Sequence, residues 1–292
     1  MGTPRPWPAP LVELHAQPDE AAPPWAEHVQ GITHHAGHWF VTQEDRLWRV
    51  PVQLDLERAT AEHPSVAMVG IPEAGIGHLG DCDVYDGRLY VAMEGTDPAR
   101  VGVFGLDLSF CGSAATSEQG TQLPWCAVNP GDGLLYSSPF DADRLHRYRR
   151  AWNRGRLELE YVGEVPLRSG SGEPMHVQRL QGGAFSPRGH LFLTSDSRSG
   201  GILGIDMTTG RREMQVPIPF EPRGPDEDVI EGLAIVDLSD GRVPWMRGIL
   251  HVLAFAADET RRDCVWLRHY DVADERDRAH FHPPAERGQA PG

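Results

Sequence analysis

Two carboxylates flank a thiol at Asp81-Cys82-Asp83, and His78 stands three residues upstream. These are residue types that move protons or attack carbonyl carbon. In an extended strand Asp81 and Asp83 project to one side and Cys82 to the other. A second thiol, Cys126, sits in a matching phrase farther along. The two thiols allow three readings: buried packing residues, a redox pair if their Cα atoms approach within about 7 Å, or a nucleophile. The catalytic candidates are therefore Asp83, His78, Cys82 and Cys126.

What positions these residues is a repeat. The phrase around Asp81 recurs as Gln30-Gly31-Ile32, Trp125-Cys126-Ala127, Gly182-Gly183-Ala184 and Glu231-Gly232-Leu233, with spacings of roughly 51, 44, 57 and 49 residues. A turn and an apolar strand follow each copy, as in Arg88-Leu89-Tyr90-Val91 and His190-Leu191-Phe192-Leu193. A period in this range with several short strands per unit predicts an all-β fold, a β-propeller of four-stranded antiparallel blades. Five units are legible. A sixth is possible only if 1–27 and the longer insertions hide one. The fifth unit is a strand short, and Leu11-Val12-Glu13-Leu14-His15 is left over at the other end. The N-terminal strand is therefore expected to complete the last blade and close the ring. The expected organisation is a Pro-rich arm over 1–26, the propeller over 27–272 and a disordered tail over 273–292.

The first strand of each blade lines the channel of a propeller, so the repeated phrases converge on one axis. The predicted ring is Gln30, Asp81, Trp125, Gly182 (with Gln181 beside it) and Glu231. Its oxygens suit a hard divalent cation, Ca²⁺ first, with Asp81, Glu231 and Gln30 as ligands. Zn²⁺ or another transition metal enters if a histidine joins. Ordered water is the plainer occupant. Trp125, Gln181, His28 and His176 are the candidates for holding substrate. Glu94 and Asp196 end second strands and offer a carboxylate pair for glycoside chemistry.

The net charge of −15 argues against nucleic acid or an anionic membrane as partner. No apolar leader and no long apolar run is present, so the expected compartment is the cytoplasm. Four cysteines form no CxxC pair, which gives no sign of a structural zinc of that type.

The blade rhythm, carried by Glu231-Gly232-Leu233-Ala234-Ile235, Asp86-Gly87-Arg88-Leu89-Tyr90-Val91 and Phe185-Ser186-Pro187-Arg188-Gly189-His190-Leu191-Phe192, resembles the gluconolactonase and strictosidine-synthase-like propellers. That resemblance implies a divalent ion in the channel, with Glu231 and Asp81 as its carboxylates, and six blades in place of five. Together these readings point to a small-molecule enzyme at the channel mouth, a metal-assisted hydrolase or isomerase of a lactone or ester. The alternatives are a sugar- or protein-binding propeller without chemistry, and a glycosidase.

Overall fold

The computed structural model describes residues 11–14, 19–21, 23–55, 58–71, 73, 75–197, 199–218, 229–238, 242–243, 246, 248–255 and 265–282. They form a five-bladed β-propeller. Blade one holds β3 (Val29–His35), β4 (His38–Gln43), β5 (Arg46–Pro51) and β6 (Ala67–Gly70). Blade two holds β7 (His78–Tyr85), β8 (Arg88–Glu94), β9 (Arg100–Gly105) and β10 (Phe110–Ala115). Blade three holds β11 (Cys126–Val128), β12 (Leu135–Ser137), β13 (Arg144–Asn153) and β14 (Arg156–Pro166). Blade four holds β15 (Leu180–Phe185), β16 (Leu191–Ser195), β17 (Gly201–Ile205) and β18 (Arg212–Val216). Blade five holds β19 (Val229–Ile235), β20 (Leu250–Phe255) and β21 (Val265–Val272). The inner strands β3, β7, β11, β15 and β19 touch one another in a ring.

Blade five is completed from the start of the chain, as expected. β1 (Leu11–Glu13) pairs antiparallel with one end of β21, Leu11 opposite Val272. β2 (Asp19–Ala21) pairs with its other end, Asp19 opposite Leu267. The closing strand is thus split in two. An ion pair from Arg268 to Glu13 at 2.8 Å pins the first half.

The hairpins follow the turn chemistry. Asp86 and Gly87 both take positive φ, 51° and 68°, between β7 and β8. That is the two-residue turn whose twist matches paired strands. Apolar side chains alternate from both faces of each sheet, so there is no single core. Five larger apolar clusters instead fill the five blade-to-blade interfaces, for example Phe40, Leu79, Cys82 and Val91 between blades one and two.

The C-terminal segment departs from the disordered tail expected over 273–292. Glu275–Phe281 form a 3₁₀ helix capped by Asp274, and Phe281 is fully buried against Phe192. Arg278 also pairs with Asp271. The buried Phe281 ring and the Arg278–Asp271 ion pair help to anchor a segment that its charged composition disguises. Residues 283–292 lie outside the described residues.

The seam between blades five and one holds an unusual histidine. His251, on β20, is fully buried. Its Nε2 meets the Gly248 carbonyl at 3.1 Å and its Nδ1 lies 2.8 Å from Nδ1 of His269. Trp39 of blade one packs edge-on against it. Burial first, and His269 second, push its pKa down to about 3. An unfolded imidazole takes a proton near pH 6.5. Below that pH the unfolded chain binds a proton that the folded one refuses until about pH 3. The stability His251 contributes is therefore complete above pH 6.5 and is lost as pH falls toward 3. The melting temperature is expected to drop between pH 7 and pH 4.5. In His251→Phe, which keeps a ring against Trp39, the drop is expected to be shallower from a lower starting value. Equal slopes in the two proteins would remove His251 as the cause.

Candidate functional site

Asp81 lies on the propeller axis and is completely buried. Its Oδ1 accepts the Ile32 N–H at 3.0 Å, from blade one, and its Oδ2 accepts the Gly183 N–H at 3.1 Å, from blade four. The N–H groups of Leu233, in blade five, and of Cys82 also donate to it. One side chain from blade two thus ties three other inner strands together. Burial pushes the Asp81 pKa well up, and the four N–H groups act against that push.

The glycines of the repeated phrase exist to admit this carboxylate. A Cβ on Gly31 or on Gly232 would lie 2.5 Å from Asp81 Oδ1, and one on Gly182 would lie 2.8 Å from Oδ2. The three backbones also crowd one another: a Cβ on Gly232 would stand 2.7 Å from Gly31 Cα. No larger residue fits there without displacing the axis.

The pairing corrects the predicted ring. Ile32, Cys82, Cys126, Gly183 and Leu233 occupy matching places opposite Val41, Val91, Ser137, Leu193 and Val252. The residues before them, Gly31, Asp81, Trp125, Gly182 and Gly232, make the axial layer. Gln30 and Glu231 belong one residue higher, beside Gly80, Pro124 and Gln181. The inner strands of blades one, two, four and five each carry a β-bulge just before this shared register.

The N–H donors leave the Asp81 oxygens little capacity for a cation. Asp81 presents its oxygens to N–H dipoles whose positive ends a cation would face, and Gln30 Oε1 accepts from His78 Nε2, so neither oxygen set is disposed to ligate a divalent ion. Among the described residues no three His, Cys, Asp or Glu side chains converge to hold a metal. Glu231 is nearly buried; burial, then Asp196 and Asp81, push its pKa well up.

The axial layer divides the channel into two chambers. The upper one, about 210 Å³, is lined by Gln30, His78, Glu94, Gln122, Phe140 and Gln181, with Gly80 and Pro124. His78 Nε2 lies 2.8 Å from Gln30 Oε1, and Glu94 Oε1 accepts the Leu123 N–H at 2.5 Å. The lower chamber, about 380 Å³, lies past Asp81 at the far ends of the inner strands. Asp83, Thr33, His34, His35, Tyr85 and Phe185 line it, and Asp237 and Arg242 stand there too. Asp83 is half-buried, and its Oδ2 accepts the Val128 N–H at 2.8 Å. Burial lifts its pKa to about 7, against the N–H groups of Val128 and Val84 and the charge of Arg150.

The predicted site residues are therefore distributed. His78, Gln30 and Gln181 meet in the upper chamber and Asp83 lies in the lower. Trp125 is not a ligand platform: it is fully buried, covers Gly183 and donates Nε1–H to Ser138 Oγ at 2.9 Å. Cys82 and Cys126 are buried free thiols. Burial and the nearby carboxylates push both thiols well up, which disfavours the nucleophilic thiolate. His28 is exposed beside Glu27 and Glu44. His176 lines a separate cleft with Ser195, Ser197 and Arg212. Asp196 is held by Arg179 and by the Ile230 N–H, and Glu94 lines the upper chamber. Glu94, Gln122 and Phe140 line that chamber from strand ends and loops outside the repeated phrase.

No protein-family model matches the chain, and no curated protein matches it. Solved structures do resemble it. A luciferin-regenerating enzyme is 15% identical, covering 83% of this chain and 76% of that one at a TM-score of 0.48. Virginiamycin B lyase from Staphylococcus aureus is 10% identical, covering 91% and 92% at 0.43. The WD40 propeller domain of Doa1 is 9% identical, covering 85% and 80% at 0.45. All three are β-propellers, and the likeness is one of fold. No helix among the described residues is long and apolar enough to cross a membrane.

Replacing Asp81 tests the axial layer. Asp81→Ala strands the buried N–H groups of Ile32, Gly183 and Leu233, at about 1–3 kcal/mol each. Chemical denaturation is expected to show a loss of at least ~3 kcal/mol, and a loss below ~1 kcal/mol would deny Asp81 this role. Added Ca²⁺ or a chelator is expected to leave the wild-type midpoint unmoved.

Proposed function

We propose that the protein is a small-molecule enzyme that works by acid–base chemistry in the lower chamber, with Asp83 as the proton-transfer group. The observation that carries this reading is a carboxyl with a pKa of about 7 on the wall of a chamber of about 380 Å³. That volume is within the usual range for small-molecule sites, about 300–1,000 Å³. A group that titrates near the working pH both holds and releases its proton readily.

The substrate class is a lactone, ester or related carbonyl compound. Asp83, ionised, takes the proton of a water attacking the carbonyl carbon, or the proton on the carbon beside it. The Val128 N–H fixes the carboxyl plane while this happens. Arg242 at the rim supplies positive charge toward the oxygen on which negative charge develops. Phe185, Tyr85 and the neighbouring prolines give the substrate an apolar wall. This reading keeps the substrate class that the gluconolactonase-type resemblance implies and routes no step through an ion.

The test is a panel of lactones and esters assayed from pH 5 to 9. The expected kcat/KM rises with pH through an ionisation near 7, as a general base requires. Asp83→Asn retains an oxygen for the Val128 N–H and is expected to lower kcat/KM about 10²–10⁴-fold. The same variant gives a second readout. A folded pKa raised from the carboxylate range to about 7 means that the ionised form opposes folding, increasingly as pH rises from 4 to 7. Asp83→Asn is therefore expected to melt higher than wild type at pH 8 and to lose that advantage at pH 4. Turnover that Asp83→Asn leaves intact, or no turnover across the panel, would overturn the assignment.

A further inference from the structure

We infer that the upper chamber is a second, separate binding site, and that its ligand is a neutral, hydroxyl-rich small molecule, a single sugar ring or a cyclic polyol. The polar lining consists of three carboxamides, Gln30, Gln122 and Gln181, with the imidazole of His78 and the carboxylate of Glu94. A carboxamide offers donors and an acceptor side by side, and a hydroxyl is likewise both donor and acceptor. A ring of amides therefore matches a ring of hydroxyls at several points without any net charge.

The amides are placed for a ligand. Gln122 and Gln181 make no side-chain hydrogen bond among the described residues. Gln30 Oε1 receives His78 Nε2 at 2.8 Å, while its Nε2 makes only a long contact of 3.4 Å to the His28 carbonyl. Blade packing does not need amides here: Gly80 and Pro124 hold the same level in blades two and three. Phe140 presents an apolar surface beside them, against which the C–H face of a sugar can lie.

Charge disfavours an anionic ligand. Among the described residues no Lys or Arg lines the chamber, so a phosphate or carboxylate would lack a counter-charge there. Arg179 lies 6.0 Å from the Phe140 ring and is paired with Asp196. Glu94 already accepts the Leu123 N–H and is left to accept a hydroxyl. At about 210 Å³ the chamber suits one ring and not a chain of them. The axial layer below, sealed by Asp81 and three glycines, keeps this ligand from the lower chamber.

The test is saturation-transfer NMR on the intact protein with glucose, galactose, mannose and myo-inositol, alongside glucosamine and gluconate. At least one of the four neutral compounds is expected to contact the protein. Gln181→Leu combined with Gln122→Leu is expected to weaken that contact roughly tenfold, about 1.4 kcal/mol. Asp83→Asn, in the other chamber, is expected to leave it unchanged, so this result stands or falls apart from the esterase assay. Three outcomes would overturn the inference. They are no contact with any neutral compound, contact with glucosamine or gluconate alone, and contact that survives the double substitution.

Discussion

A carboxylate removed from water is costly unless its oxygens are fully solvated by something else. At the centre of this propeller the something else is backbone. Asp81 accepts N–H groups from blades one, four and five as well as from its own strand. The arrangement works only where those backbones can come within hydrogen-bond reach, and that requires glycine at 31, 182 and 232. A five-bladed ring has a narrow axis, and here the narrowness is used to clamp the blades. Channel closure, separation of the chambers and placement of their lining residues all depend on that clamp.

Asp81 and Asp83 show how environment divides the labour of like residues. They lie two apart on one strand and point to the same side of it. Asp81 meets four N–H groups and no solvent, so it acts as a fastener. Asp83 meets fewer donors and a cavity, and its affinity for a proton is brought to the neutral range. Chemistry is available only to the second.

The blade architecture was legible in the sequence because each repeat carries its own local signals: an inner phrase, a Gly-containing turn and an apolar second strand. Closure could be read from a spare strand at one end and a missing one at the other. The site was less legible for a geometric reason. The axial positions are Gly31, Asp81, Trp125, Gly182 and Gly232, which share no residue type across all five blades, so their common level is set by strand pairing alone. Gln30 and Glu231 were read as level with Asp81 and stand above it. Trp125 is in the axial layer, yet its indole turns aside over Gly183 instead of facing a ligand. The Gly residues themselves were legible as a motif, but their reason, the Asp81 carboxylate, lies roughly fifty to a hundred and fifty residues away. Phe281 was masked by the charged residues around it.

The split closing strand sets the order in which this chain can be finished. Leu11 is among the first described residues to be synthesised, and its partner Val272 is among the last. Four blades can assemble by hairpins between neighbours as they emerge, each contact local. The fifth cannot, because its outer strand has left the ribosome long before β21 exists. Until then β1 and β2 have no sheet to join, and the ring remains an open arc with its inter-blade seam exposed. Closure is thus a late, long-range event, slow by the entropy of joining distant segments. It makes completion of the last blade the step at which a nascent molecule becomes either a sealed ring or an aggregating one.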